Sequence, residues 1–127
     1  MIIPVTDIGG GMKHAKVSDE ETVEAVEGAF VTQLVSGDRT SAQVFEAEPG
    51  AIVPEHSHPH EQIGFVYEGT LTFLVDGETI EVGPNESFVI PGDEPHQIEN
   101  RGETNAVGID IFSPARPNPD WANDDSE

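Results

Sequence analysis

Three histidines and a glutamine carry the clearest chemical signal in this sequence. His56 and His58 stand two residues apart, Gln62 follows four residues later, and His96 lies in a second segment further along the chain. Because side chains alternate between faces along an extended strand, we expect His56, His58 and Gln62 to share one face. Imidazole nitrogens and an amide oxygen suit a divalent transition metal and leave coordination positions open. The pattern predicts one metal centre with His56, His58, Gln62 and His96 as ligands.

Other side chains beside this pattern are alternative ligands. Glu61 is an oxygen donor, but strand parity sends it to the face opposite His56. His60 has the correct parity, but Pro59 before it and a bend into the next strand would turn it away. A histidine that lies on the surface or caps a turn is the other interpretation, and it suits His14, which stands alone. The donor set does not name the metal, since Mn, Fe, Co, Ni, Cu and Zn all accept such ligands.

The last predicted strand offers groups for acid–base chemistry beside a metal. If one of its faces lines an interior, small residues there make room and Asp110 is placed as a general acid or base. Arg116 follows this strand and can hold a substrate carboxylate through paired hydrogen bonds. The alternative is an aspartate at the rim that pairs with a surface arginine. The face in question carries Ala106, Gly108, Asp110 and Phe112.

The chain is strongly acidic, with 25 Asp and Glu residues against five Lys and Arg residues and a formal net charge of −20. This charge argues against nucleic acids and anionic membranes as partners. We interpret it as an adaptation to high salt, because the Debye length falls to about 3 Å near 1 M and like charges stop repelling. An acidic mesophilic protein is the alternative. Equal stability in low and multimolar KCl would contradict the halophilic interpretation.

Chain length and cysteine content limit the remaining classes. A chain of 127 residues suits a single domain, and the absence of cysteine excludes disulfides and thiolate metal sites. No apolar run approaches the roughly 20 residues that span a bilayer, and the N-terminus lacks the pattern of a signal peptide. We therefore expect a soluble, cytoplasmic protein with one domain over residues 1–116 and a flexible acidic tail over 117–127.

Short apolar runs separated by Gly, Pro, Asn and Asp predict an all-β antiparallel sandwich or barrel. Asp76-Gly77 is typical of a type I′ hairpin turn. Residues 18–28 are ambiguous, since a capping-box pattern at Ser18 and Glu21 favours a short helix, whereas β-branched Val23 and Val26 favour an extended connection. The predicted strands cover residues 29–35, 41–46, 63–68, 71–75, 79–82, 87–90, 96–99 and 105–112.

The first histidine segment resembles the first sequence motif of the cupin family. Gly50, His56, His58 and Gly69 fit that motif, and Gln62 stands where glutamate is usual. Without a carboxylate among the ligands, the charge of a divalent ion would be less compensated and its Lewis acidity stronger. This difference shifts the expected chemistry from oxygen activation toward polarising a carbonyl or hydroxyl group.

The second histidine segment resembles the second cupin motif. Pro91, His96 and Asn100 fit it, whereas Asp93 and Asn85 stand where the motif has glycine. Asn tolerates the left-handed backbone that such a position needs. The resemblance covers residues 41–112 and implies a single-domain, jelly-roll-like antiparallel β-barrel with one divalent metal inside, such as Zn, Ni, Mn, Fe or Co.

Within the cupins, the segments 56–62 and 110–116 look like the branch that includes the pectin-degradation protein. Proteins of that branch bind a divalent metal through three histidines and one glutamine, and they convert 4,5-unsaturated uronates to linear keto sugars. The resemblance implies proton transfer by Asp110, a pocket wall at Phe112 and a carboxylate anchor at Arg116. A metal-dependent dioxygenase and a non-catalytic sugar-binding or metal-binding module are the alternative functions.

An apolar stripe suggests a protein partner in addition to the small carboxylated substrate. If Gln62 and its strand neighbours of equal parity face the metal, then Ile63, Phe65 and Tyr67 lie on the reverse face. Large apolar side chains in a row mark a surface that another layer or another subunit covers. We expect a homodimer that uses this face.

Overall fold

The computed structural model describes residues 6–8 and 11–116, so the predicted tail over 117–127 lies outside the described residues. Its regular structure is almost entirely β, as the sequence pattern predicts. The strands are β1 (Thr6–Ile8), β2 (Met12–His14), β3 (Thr22–Val26), β4 (Ala29–Ser36), β5 (Ser41–Ala47), β6 (Ile52–His56), β7 (Glu61–Glu68), β8 (Leu71–Val75), β9 (Glu78–Val82), β10 (Glu86–Ile90), β11 (His96–Glu99) and β12 (Ala106–Ser113).

Two antiparallel sheets build the domain. A six-stranded sheet has the order β10-β7-β12-β5-β4-β3, a four-stranded sheet has the order β6-β11-β8-β9, and β1 pairs with β2 separately. Apolar side chains from both sheets form the core, and Val66 and Phe73 are among its most buried members. This is the jelly-roll-like sandwich that the cupin resemblance implies.

The helix considered for residues 18–28 is absent. A 3-10 helix covers Val17–Asp19, its ends have no side-chain cap, and β3 follows it. Val23 of β3 pairs with Val31 of β4, and a turn at Gly28, whose φ is 81°, joins the two strands. Pairing of β-branched residues along a sheet edge therefore outweighs the local capping pattern.

Two local predictions are confirmed by the backbone. Asp76 and Gly77 have φ values of 51° and 78° and connect β8 directly to β9, as a type I′ hairpin requires. Along β12, every second residue from Ala106 to Phe112 is buried, so the face that carries Asp110 lies inside. No helix in the described parts of the chain is long and apolar enough to cross a membrane.

Candidate metal centre and adjoining cavity

Three imidazoles meet at one end of the four-stranded sheet. His56 ends β6 and pairs directly with His96, the first residue of β11. His58 lies in the turn between β6 and β7, and one ring nitrogen of each histidine lies within 4.8 Å of the others. The parity argument is therefore wrong for His58, because no strand carries it. The grouping itself is as predicted.

The turn that follows β10 fixes the position of His58. The Asp93 N–H donates to the His58 carbonyl at 2.7 Å. Asp93 has a φ of 66°, the left-handed conformation expected at this motif position. A Cβ atom on Gly92 would lie 2.6 Å from the Pro59 carbonyl oxygen, so only glycine allows this close approach. The second motif thus supports a ligand from the first.

Backbone carbonyls orient all three rings. The Nδ1 atoms of His56, His58 and His96 lie 2.9, 3.0 and 2.8 Å from the carbonyl oxygens of Pro54, His60 and Glu94. A carbonyl only accepts, so each Nδ1 donates and each Nε2 keeps its lone pair. The Nε2 atoms of His58 and His96 are buried and have no hydrogen-bond partner. This donor set fits a divalent transition metal.

Burial keeps these imidazoles neutral. Desolvation lowers the pKa of His96 from 6.5 to about 4, against the hydrogen bond to the Glu94 carbonyl, which raises it. Desolvation and the charge of Arg116 also lower the pKa of His58. A neutral imidazole is the form that binds a metal, so the protein presents these ligands in the required protonation state.

Gln62 lies on the facing sheet. It occupies β7, is only 5% exposed, and lines the same cavity as His56 and His96. Its role as a fourth ligand stays a prediction. Of the alternatives, Glu61 is exposed, whereas His60 is half-buried beside the centre, with its ring centroid 5.7 Å from that of His58. His60 lies outside the three-histidine group, and His14 is exposed on β2.

A cavity of about 550 Å³ extends from the imidazoles into the space between the sheets. Polar groups, including Ser57, Gln62 and Asp110, line one part of it, whereas apolar side chains line most of the rest. The cavity is thus a polar site that opens onto a greasy wall. The apolar lining includes Phe30, Val31, Phe45, Phe73, Phe88 and Ile98.

Asp110 faces this cavity from β12 and is only 5% exposed, which excludes the rim position considered for it. Its Oδ2 accepts a hydrogen bond from Gln43 Nε2 at 3.1 Å, while its Oδ1 has no partner. Burial raises the pKa of Asp110 to about 6, although Gln43, Gln62 and the charge of Arg116 act to lower it. A carboxyl group with this pKa can both accept and return a proton near neutral pH.

Phe112 and Arg116 complete the polar part of the cavity. The Phe112 ring is nearly fully buried, and its centroid lies 5.7 Å from that of His58. The guanidinium carbon of Arg116 lies 5.2 Å from the Phe112 centroid, and the Arg116 N–H donates to Ser41 Oγ at 2.7 Å. A cation is thereby placed where a substrate carboxylate can meet it.

One motif residue and one unpredicted residue also have clear positions. Asn100 is structural, since its Nδ2 donates to the carbonyls of Ala47 and Thr104, both at 2.9 Å. Gln43 was not among the predicted site residues, although it lines the cavity and binds Asp110. The available signal was its parity, because a polar residue stands between inward-facing Ser41 and Phe45 on a predicted strand.

Comparison with known proteins agrees with this geometry. A family model described as the cupin domain matches residues 43–112. The chain belongs to the cupin family. This cupin is 34% identical over 83 residues to the tetracenomycin polyketide synthase protein TcmJ of Streptomyces glaucescens, a match that covers 65% of this chain and 56% of the relative. It spans little more than half the length of the first curated relatives that it matches.

Two solved structures of similar shape come from proteins with different names. The structure of KdgF from a Halomonas species has a TM-score of 0.74 and 25% identity, and covers 81% of this cupin and 94% of that chain. The polyketide cyclase RemF from Streptomyces resistomycificus has a TM-score of 0.72 and 26% identity, and covers 84% and 82% of the two chains. Cupins similar to this one thus include enzymes that act on small molecules.

Proposed function

We propose that this cupin is a metal-dependent enzyme that opens the ring of a 4,5-unsaturated uronate to give the linear keto form. The observation that carries the proposal is the unpartnered Oδ1 of buried Asp110, in the same cavity as His56 and His96. The likeness to KdgF, a uronate-linearising protein, agrees with it. His56, His58 and His96 would hold the metal with Gln62, and a bound divalent ion supplies Lewis-acid polarisation of a substrate oxygen.

The reaction is an isomerisation, so its atoms and electrons balance within the substrate. Asp110 Oδ1 takes the proton of the anomeric hydroxyl, the anomeric C–O double bond forms, and the bond from the anomeric carbon to the ring oxygen breaks. The electron pair released to the ring oxygen gives an enolate across the former ring double bond. Asp110 then returns the proton to C4, which leaves a ketone at C5.

Arg116 and Phe112 would orient the substrate for this transfer. The Arg116 guanidinium offers paired donors to the uronate carboxylate, and the chain provides few other cations. Phe112 packs between Arg116 and His58 and forms an apolar wall against one face of the sugar ring. This division predicts that Arg116→Lys raises KM more than it lowers kcat.

The test is to mix metal-loaded protein with unsaturated galacturonate and to follow the loss of ultraviolet absorbance from the ring double bond, against spontaneous opening. We expect acceleration by the wild type and a loss of about 10²–10⁴-fold in Asp110→Asn, with the metal retained. No acceleration over the blank contradicts the proposed substrate. Undiminished activity in Asp110→Asn contradicts the proposed proton transfer.

The apolar cavity wall favours a second candidate, a cyclase that acts on an aromatic polyketone. A single uronate offers little apolar surface to this wall, and relatives of the chain include polyketide synthase proteins and a polyketide cyclase. The same metal centre and Asp110 would serve proton transfer next to a ketone. Turnover of an aromatic polyketone but not of the uronate would favour this candidate. Oxygen uptake with Fe(II) would indicate a dioxygenase, and saturable binding without turnover a binding module.

A further inference from the structure

A row of hydrogen-bonded side chains crosses the inner face of the six-stranded sheet and ends at the candidate base. Gln33 on β4 pairs with Gln43 on β5, and Gln43 pairs with Asp110 on β12. Gln33 Nε2 donates to Gln43 Oε1 at 3.0 Å, and Gln43 Nε2 donates to Asp110 Oδ2 at 3.1 Å. We call Gln33, Gln43 and Asp110 the glutamine row.

The row has a direction that the ionised carboxylate sets. A carboxylate only accepts hydrogen bonds, so Gln43 turns its amino group toward Asp110 and its oxygen toward Gln33. The bond from Gln33 then holds the Gln43 amide in that orientation, because a reversed amide would lose both bonds. Gln33 thus acts on Asp110 without touching it.

The opposite side of Asp110 has an apolar covering. Gly64 on β7 pairs with Asp110, and Phe88 on β10 pairs with Gly64. A Cβ atom on Gly64 would collide with the Phe88 ring, so that ring lies over the glycine. An aromatic ring offers no conventional hydrogen bond to the carboxylate. This asymmetry accounts for one bonded oxygen, Oδ2, and one buried oxygen without a partner, Oδ1.

We propose that Gln33 and Gln43 are positioning residues that fix Oδ2 of Asp110 and thereby present Oδ1 to the molecule in the cavity. The consequence for catalysis rests on the proposed function, since it requires proton transfer by Asp110. The orientation of the carboxylate does not depend on which substrate binds. A purely structural row, by contrast, would satisfy a buried acid and contribute to folding only.

Gln33→Glu tests the direction of the row at a position that does not line the cavity. The introduced carboxylate would accept rather than donate, so Gln43 would turn its amino group toward that carboxylate and its oxygen toward Asp110. We expect kcat on the uronate to fall at least about tenfold, with KM and bound zinc within twofold of the wild type. Gln33→Leu, which adds no charge, should lower kcat by about threefold. Wild-type kcat in both variants would overturn the proposal.

Gln97→Glu is the matched control. Gln97 Nε2 donates to Glu99 Oε2 at 2.7 Å on β11, so the substitution also replaces a donor to a carboxylate with an acceptor. Gln97 does not line the cavity, and its variant should keep the wild-type kcat. An equal loss of kcat in Gln97→Glu would show that the effect is general to such substitutions, and would overturn the proposal.

A measurement without substrate separates this proposal from the proposed function. In NMR spectra of the zinc-loaded protein, the Gln43 side-chain amide protons should exchange slowly with solvent, and their resonances should move in Gln33→Glu but not in Gln97→Glu. Fast exchange, or unmoved resonances in Gln33→Glu, overturns the glutamine row. Slow exchange and moved resonances in a protein that does not open the uronate support the row and reject the uronate as substrate.

Discussion

The two sheets contribute different chemistry to one cavity. The four-stranded sheet and its adjoining turn carry the three imidazoles, whereas the six-stranded sheet carries the carboxyl and amide groups, with Asp110 at the centre. Burial shifts the pKa values of the two sets in opposite directions, to about 4 for His96 and about 6 for Asp110. Both shifts favour the neutral form. The comparison shows that one physical cause prepares ligands on one sheet and a proton carrier on the other.

The largest expected effect comes from damage to the imidazole sheet. His96→Ala should lower zinc affinity at least about 100-fold, since loss of a ligand should cost no less than the 10- to 100-fold that loss of a group supporting one costs. Calorimetric titration with zinc measures this effect, and exposed His14→Ala is the control. If His96→Ala bound zinc as the wild type does, the metal would have to lie elsewhere.

Asp110→Asn should change the pH dependence of stability. Because the folded pKa of Asp110 is raised from 3.8 to about 6, the folded state binds the proton more tightly, and its contribution to stability falls as the pH rises from about 4 to 6. The His96 contribution has the opposite sign and falls as the pH drops from 6.5 to about 4.

Chemical denaturation of chelator-treated protein between pH 4 and 6 isolates the Asp110 contribution. The difference in unfolding free energy between Asp110→Asn and the wild type should increase by about 2 to 3 kcal/mol across this range. Asp76→Asn, in the exposed β8–β9 turn, is the control. Parallel curves for Asp110→Asn and the wild type would mean that the carboxyl is ionised throughout.

Gly64→Ala should weaken the six-stranded sheet beside Asp110. The added methyl group would displace the Phe88 ring, which packs on Phe73 with ring centroids 4.6 Å apart. We expect a loss of about 1–3 kcal/mol in unfolding free energy by chemical denaturation. At Gly37 a Cβ atom would meet only the Thr40 carbonyl oxygen, at an ordinary 3.6 Å, so Gly37→Ala should change stability little. Equal losses in both variants would mean that the Phe88 contact is not limiting.

The outer faces of the sheets also differ, and this contrast underlies our proposal of a homodimer. Ile63 and Tyr67 on the six-stranded sheet are 51% and 50% exposed, beside Val89 at 58%. On the four-stranded sheet, Glu81 and Glu99 flank Thr72 in one cross-strand row. An apolar face on a chain with a net charge of −20 is the surface on which two copies can meet with least repulsion.

Ile63→Glu should convert the dimer to a monomer of 13.6 kDa in light scattering, measured in both low and multimolar KCl. Ile80, which is 46% exposed on the four-stranded sheet, provides the matched control variant Ile80→Glu, which should stay dimeric. A monomeric wild type in both salts would contradict the proposed interface.

The sequence predicted those features that depend on local spacing. The Asp76-Gly77 turn, the alternation along β12 and the grouping of His56, His58 and His96 follow from neighbours in the chain. It did not predict that His58 lies in a turn, since the bond from the Asp93 N–H that holds this turn joins distant segments. The contact between Gln43 and Asp110 is also non-local, because it depends on the register of β5 against β12.

The ring-orienting hydrogen bonds of the imidazoles have an evolutionary consequence. Each Nδ1 lies against the carbonyl oxygen of a residue two positions away in its own segment, namely Pro54, His60 or Glu94. No side chain of the cavity wall takes part in these bonds. Substitutions in the wall can therefore change the accepted substrate while ring orientation is inherited unaltered. Such a division of labour would let one metal-binding framework serve sugars in one lineage and polyketides in another.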